Sequence, residues 1–281
     1  MSMSFRVTAF PIILTAVLSA CGSGGGGAGG ADRGSVAGEG PFPPQSPAVQ
    51  TVVMNVNDSA STAELTYDDS NNLSGIDIST PQTTLSYAGA DEISCSSAGA
   101  CTGVNATSLA IVMDQADLGW SYQSFGIWLK DIGPTSFEAG AVSFGTVTPA
   151  SALPTGLTDA RFAGHAGGFY FDASGNQFAT DAQMSAVTNF QNRSIQFSTN
   201  GTLLTNMSTL ERTSSDGLDL RGSWTYAPGT SQFSGSVNTV NNDLKGSAAG
   251  RFYGPTAEEI GGTYGLTGGG ASMLGGFGGK R

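Results

Sequence analysis

The chain carries one histidine, His165, so a single copy cannot assemble a His-based catalytic triad or a two-histidine metal site. Its carboxylates include the adjacent pairs Asp68-Asp69, Asp91-Glu92 and Glu258-Glu259. Neighbours on an extended chain diverge, so such pairs do not share a proton as an acid–base dyad does. Asp68-Asp69-Ser70-Asn71-Asn72 lacks the glycine and terminal glutamate spacing of a calcium loop and reads as a polar turn. No Gly-x-Ser-x-Gly elbow is present, and Gly235-Ser236 falls inside a strand pattern. The residues therefore predict no enzyme and no metal site. The remaining chemistry lies in Cys21, Cys95 and Cys101.

The elements around these cysteines decide their use. Residues 1–20 read as a signal peptide, with Arg6 as the positive start and an apolar stretch from Val7 to Leu18 too short to span a bilayer. It ends Leu18-Ser19-Ala20-Cys21-Gly22, which resembles the lipobox of bacterial lipoproteins. The resemblance implies cleavage before Cys21 and acylation of that residue, giving a membrane anchor and no embedded segment. Gly22 in place of aspartate favours the outer membrane. Residues 21–48 form a Gly-rich, then Pro-rich tether. In an exported chain the other two cysteines read as a disulfide, Cys95–Cys101, closing a short loop.

Short alternating segments then recur at 49–56, 63–67, 73–78, 83–87, 107–113, 120–129 and 137–147, separated by Asn, Asp, Gly and Pro. They predict a small β-rich subdomain over 49–154, with Phe125-Gly126-Ile127-Trp128-Leu129 as a central buried strand. Over 155–281 strands are expected at 160–171, 179–189, 194–198, 218–226, 231–240, 246–253, 260–267 and 272–278. Eight strands suffice to close an antiparallel barrel filled by its own side chains, which also removes exposed sheet edges. In Gly250–Gly254, Phe252 and Tyr253 should point to opposite faces; Pro255 should end the strand, and Thr256 should cap a short helical turn. The fold class is thus all-β.

Composition narrows function further. Against 22 Asp+Glu stand 11 Lys+Arg, a net charge of −11, and only 12% of residues are charged. No basic cluster is available for nucleic acid or for an anionic membrane surface. The 42 glycines suit an exported β-protein rich in turns.

Phe252-Tyr253-Gly254-Pro255, then Ala257-Glu258-Glu259-Ile260-Gly261-Gly262, then the terminal Phe277-Gly278-Gly279-Lys280-Arg281 resemble the end of the barrel in the transferrin-binding protein B family of bacterial surface lipoproteins. Phe162–Phe171 and the hairpin Asp172–Phe190 resemble its opening. The resemblance implies a handle-like subdomain followed by an eight-stranded barrel, as one lobe where the transferrin receptor has two. It also implies a monomeric surface binding protein whose partner is an iron carrier, haem or another macromolecule, held at barrel or handle loops. A haem ligand would draw on His165 and Tyr170, although their strand parity is opposite. The candidate loops are 87–105, 199–217 and 238–245. A structural or protective envelope lipoprotein without a small ligand is the alternative.

Overall fold

The computed structural model describes residues 49–281 apart from positions 54–55, 71, 81–82, 97–98, 115–117 and 134–135. The expected signal segment, Cys21 and the expected tether lie outside the described residues. Among the described residues the fold is all-β, with two sheets.

The first sheet comprises β1 (Val49–Val53), β2 (Val56–Tyr67), β3 (Leu73–Ser79), β4 (Thr84–Ala88), β5 (Ile93–Cys95), β6 (Ala100–Val104), β7 (Ser108–Met113), β8 (Gln123–Gly133) and β9 (Ser136–Gly145). Its order is β4-β3-β2-β1-β9-β8-β7-β6-β5, antiparallel throughout. This handle sheet is apolar on both faces. One face gathers Ile76, Ile78, Leu85, Tyr87, Val112 and Trp128. The other presents Ile111, Met113, Phe125, Ile127 and Leu129 to the barrel residues Phe169, Phe171 and Leu274. The expected central strand is therefore buried on both sides, with Trp128 facing one way and Phe125, Ile127 and Leu129 the other.

A 3-10 turn at Ala150–Ala152 leads to the barrel. Its strands are β10 (Ala160–Phe171), β11 (Gln177–Asn189), β12 (Ser194–Asn206), β14 (Leu220–Tyr226), β15 (Gln232–Thr239), β16 (Lys245–Tyr253), β17 (Glu259–Gly268) and β18 (Ala271–Lys280); a short β13 (Arg212–Ser214) pairs only with the end of β12. The order β11-β10-β18-β17-β16-β15-β14-β12 closes because β12 also pairs with β11. Alternating inward positions fill the interior with rings. Trp224 stacks between Phe197, at 4.6 Å, and Phe233, at 5.4 Å, and Phe277 lies 4.8 Å from Phe197. Side chains fill this barrel, as expected for eight strands.

Three sequence expectations need correction. The strand expected at 194–198, with a loop from 199, instead continues as β12 to Asn206: Gly201 sits at φ 68° where the register with β11 slips, forming a bulge. The proposed loop 87–105 contains the hairpin β5–β6, whose small residues hid its pattern; Gly103 lets the Tyr87 ring lie directly against the backbone. After Pro255 no helical turn forms. Ala257 takes φ 63°, and the Thr256 hydroxyl donates to Glu258 at 2.6 Å.

Candidate functional site

The antiparallel registers place the β10–β11, β12–β13, β15–β16 and β17–β18 turns at one end of the barrel. Local hydrogen bonding builds these turns. Asp172 accepts the N–H groups of Ser174 and Asn176 at 2.9 and 2.8 Å and the Asn176 side-chain amide at 2.7 Å. The bonds from Asn176, above all, hold its carboxyl below the usual range. Asp68 organises the β2–β3 turn the same way through Ser70 and Asn72, so its oxygens are engaged by turn donors. In the β12–β13 turn the Asn206 side chain accepts from Ser208 and Thr209 at 2.8 and 3.0 Å. The β15–β16 turn bonds back to the 217–219 segment, with Val240 N–H on the Asp219 carbonyl at 2.7 Å and Asn241 N–H on that of Gly217 at 3.1 Å. Asp219 in turn accepts from the Thr202 N–H and hydroxyl at 3.0 and 2.6 Å, tying the connection to β12.

This braced end presents Leu210, 41% exposed, and Val240, 45% exposed. Among the described residues these are two of three large apolar side chains that stand exposed; the third, Leu157, precedes β10 at the other end. Leu210 also adopts φ 67°, a conformation that disfavours a branched side chain. Two of the loops proposed from the sequence, 199–217 and 238–245, contribute here through their turn portions. The third, 87–105, carries the Cys95–Cys101 disulfide across directly paired strands.

The haem candidates are not brought together. His165 lies on the outward face of β10, beside a small apolar cavity between handle and barrel lined by Ile111, Met113, Phe125, Ile127 and Asp181. Tyr170 packs against the barrel interior and lies 5.8 Å from the Phe178 ring; burial, then Asp172 and Asp243, push its hydroxyl pKa up. Strand parity thus aims the two at different spaces. Glu258 and Glu259 also diverge: Glu258 accepts from Thr256, whereas Glu259 reaches the handle. Among the described residues no three His, Cys, Asp or Glu side chains cluster as a metal site, and no helix is long and apolar enough to cross a membrane.

The handle is held against the barrel by close backbone approach. A Cβ on Gly261 would lie 2.6 Å from Gln123 Oε1, and one on Gly276 would lie 2.6 Å from the Phe125 ring. Only glycine permits such contact. Tyr253, on the opposite face from the interior Phe252, meets Ser143 at 2.9 Å across the seam. Sequence reading missed Leu210, Val240 and this use of glycine. The one local hint was Glu259 opening the otherwise uncharged strand Glu259–Gly268.

These features define a class: a single lobe in which an open handle sheet is docked on a closed barrel whose turns are gathered at one end. Residues 153–281 match the family described as the C-lobe and N-lobe beta barrels of Tf-binding protein B. The chain has a transferrin-binding protein B-like single-lobe fold. A mutant form of transferrin binding protein B from Haemophilus parasuis superposes with a TM-score of 0.50 at 13% identity, over 84% of this chain and 45% of that one. The isotype 1 protein from Neisseria meningitidis gives 0.45 at 14% identity, over 80% and 52%. The N-lobe of lactoferrin binding protein B from Moraxella bovis gives 0.40 at 12%, over 84% and 99%. The chain spans a little under half the length of the transferrin binding protein B chains it matches first. No curated protein sequence matches it.

Proposed function

We propose that the chain is a lipid-anchored bacterial surface protein that binds a protein partner of the transferrin or lactoferrin type, without transforming it. The observation that carries this reading is the end of the barrel where Leu210 and Val240 both stand exposed, each on a turn fixed by backbone hydrogen bonds of its own. Apolar side chains held rigidly in a polar rim are what a protein interface uses as anchors. The fold likeness supports the class of partner, since the Haemophilus parasuis protein that superposes on this chain is a transferrin binding protein. The lipobox-like Leu18–Cys21 supports the anchor, and the likeness to the Tf-binding protein B barrels supports placement at the outer-membrane surface.

The test is surface plasmon resonance of the full chain in detergent against transferrin, lactoferrin and haem. Binding of an iron-carrier protein, weakened at least about tenfold by the double change Leu210→Asp and Val240→Asp, is expected. Failure of both proteins to bind would reject the partner class. Binding that ignores the double change would reject the site. Protease shaving of intact cells reads the location: a fully protected protein rules out surface display.

A further inference from the structure

Glu259 is 2% exposed at the start of β17, directly paired across the ladder with Lys280 at the end of β18. A buried carboxylate demands donors, and here they come from the handle. Glu259 Oε1 accepts the backbone N–H of Ser121 at 2.6 Å, and Oε2 accepts those of Tyr122 and Gln123 at 3.0 and 2.9 Å. Lys280 Nζ donates to the carbonyl of Gly119 at 2.7 Å. An anion and a cation on adjacent strands thus grip the donors and the acceptor of one peptide segment, the one from which β8 begins. Burial raises the Glu259 carboxyl pKa, while the three amides and then Lys280 act to lower it.

The positions that follow share the same outward face. Gly261 pairs with Gly278 and Thr263 with Gly276, so the face reads Glu, Gly, Thr along β17 and Lys, Gly, Gly along β18. Gln123 lies against Gly261 and Gly278, and Phe125 against Gly276. Charged grips at the strand ends and a bare lane behind them form one continuous seat for β8.

We propose that Glu259 and Lys280 are a clamp that fixes the handle on the barrel in one orientation, and that the stretches Glu259-Ile260-Gly261 and Gly278-Gly279-Lys280 serve this docking and not partner recognition. The clamp keeps the turns of both units in a constant spatial relation, which a rigid binding surface requires.

Hydrogen exchange of the full chain in detergent tests it without any partner, so it stands or falls apart from the binding function. Peptides spanning 119–125 are read in Glu259→Ala, Glu259→Gln and Lys280→Ala. Glutamine offers one acceptor oxygen and turns an amide N–H₂ toward a backbone donor. Exchange there should rise about 100-fold in Glu259→Ala and about 10-fold in the other two, with β14–β16 unchanged. Unchanged protection at 119–125, or a rise spread equally over the barrel, overturns the clamp. If Glu259→Ala does not fold, the other two variants decide by the same readout.

Discussion

The barrel and the handle sheet handle their edges in opposite ways. The barrel pairs β12 with β11 and has no free edge on its closing strands, so its core is its own interior. The handle stays open, with β4 at one edge and the three-residue β5 at the other, the latter stapled to β6 by Cys95–Cys101. Its apolar face bearing Ile111, Phe125 and Ile127 is covered only because the barrel offers Phe169, Phe171 and Leu274. The barrel encloses a core of its own, and one face of the handle is completed by it. The lesson is that the glycines of β17 and β18 separate into two jobs, inward ones clearing space for rings and outward ones seating the handle.

The largest effect should come from the barrel interior. Trp224→Ala opens a hole between Phe197 and Phe233 and should lower unfolding free energy by about 3–5 kcal/mol in a denaturant melt. A loss below about 1 kcal/mol would mean that the aromatic stack does not carry the barrel.

Alkaline titration compares the units next. Burial pushes Tyr87 in the handle and Tyr253 at the seam up to about 12. A phenol that resists ionising in the fold but ionises near 10 when unfolded costs stability as pH rises between those values. Each tyrosine should remove about 1.4 kcal/mol per pH unit between pH 10 and 12, or about 2–3 kcal/mol in all. Tyr253→Phe should flatten the slope by that share, and an unaltered slope would refute its burial.

The smallest effect discriminates most sharply. Gly261→Ala presses on Gln123 and Ser143 of the handle, whereas Gly262→Ala presses on the Phe277 ring and the Ala249 carbonyl inside the barrel ladder. Each should cost about 1–2 kcal/mol. Only Gly261→Ala should hasten proteolysis of the 146–159 connection; equal hastening by both would dissolve the division between outward and inward glycines.

Much of the architecture was legible because strand alternation is local. The segment 160–171 coincides with β10, and most barrel strands fall within a residue or two of their expected bounds. Legibility failed where a local signal had two meanings. Asn200-Gly201 serves both turns and bulges, and only the register against Asp181–Gln183 tells them apart. At the site, 238–245 was recognisable as a turn from its Asn and Asp residues, but Leu210 had no such mark: an exposed leucine and a buried one are written identically.

The sequence by itself determined an all-β chain, a barrel's number of strands and the pairing of Cys95 with Cys101, since periodicity and cysteine count are properties of short stretches. Tertiary structure alone decided what each strand face meets. Glu259 finds its donors 136 to 138 residues away, and Leu210 and Val240 share an end only because β12 and β15, each antiparallel to the β14 between them, run in the same direction. Alternation says that a strand has two unlike faces; which neighbour lies against each is settled by closure and docking, for which no nearby residue carries a signal.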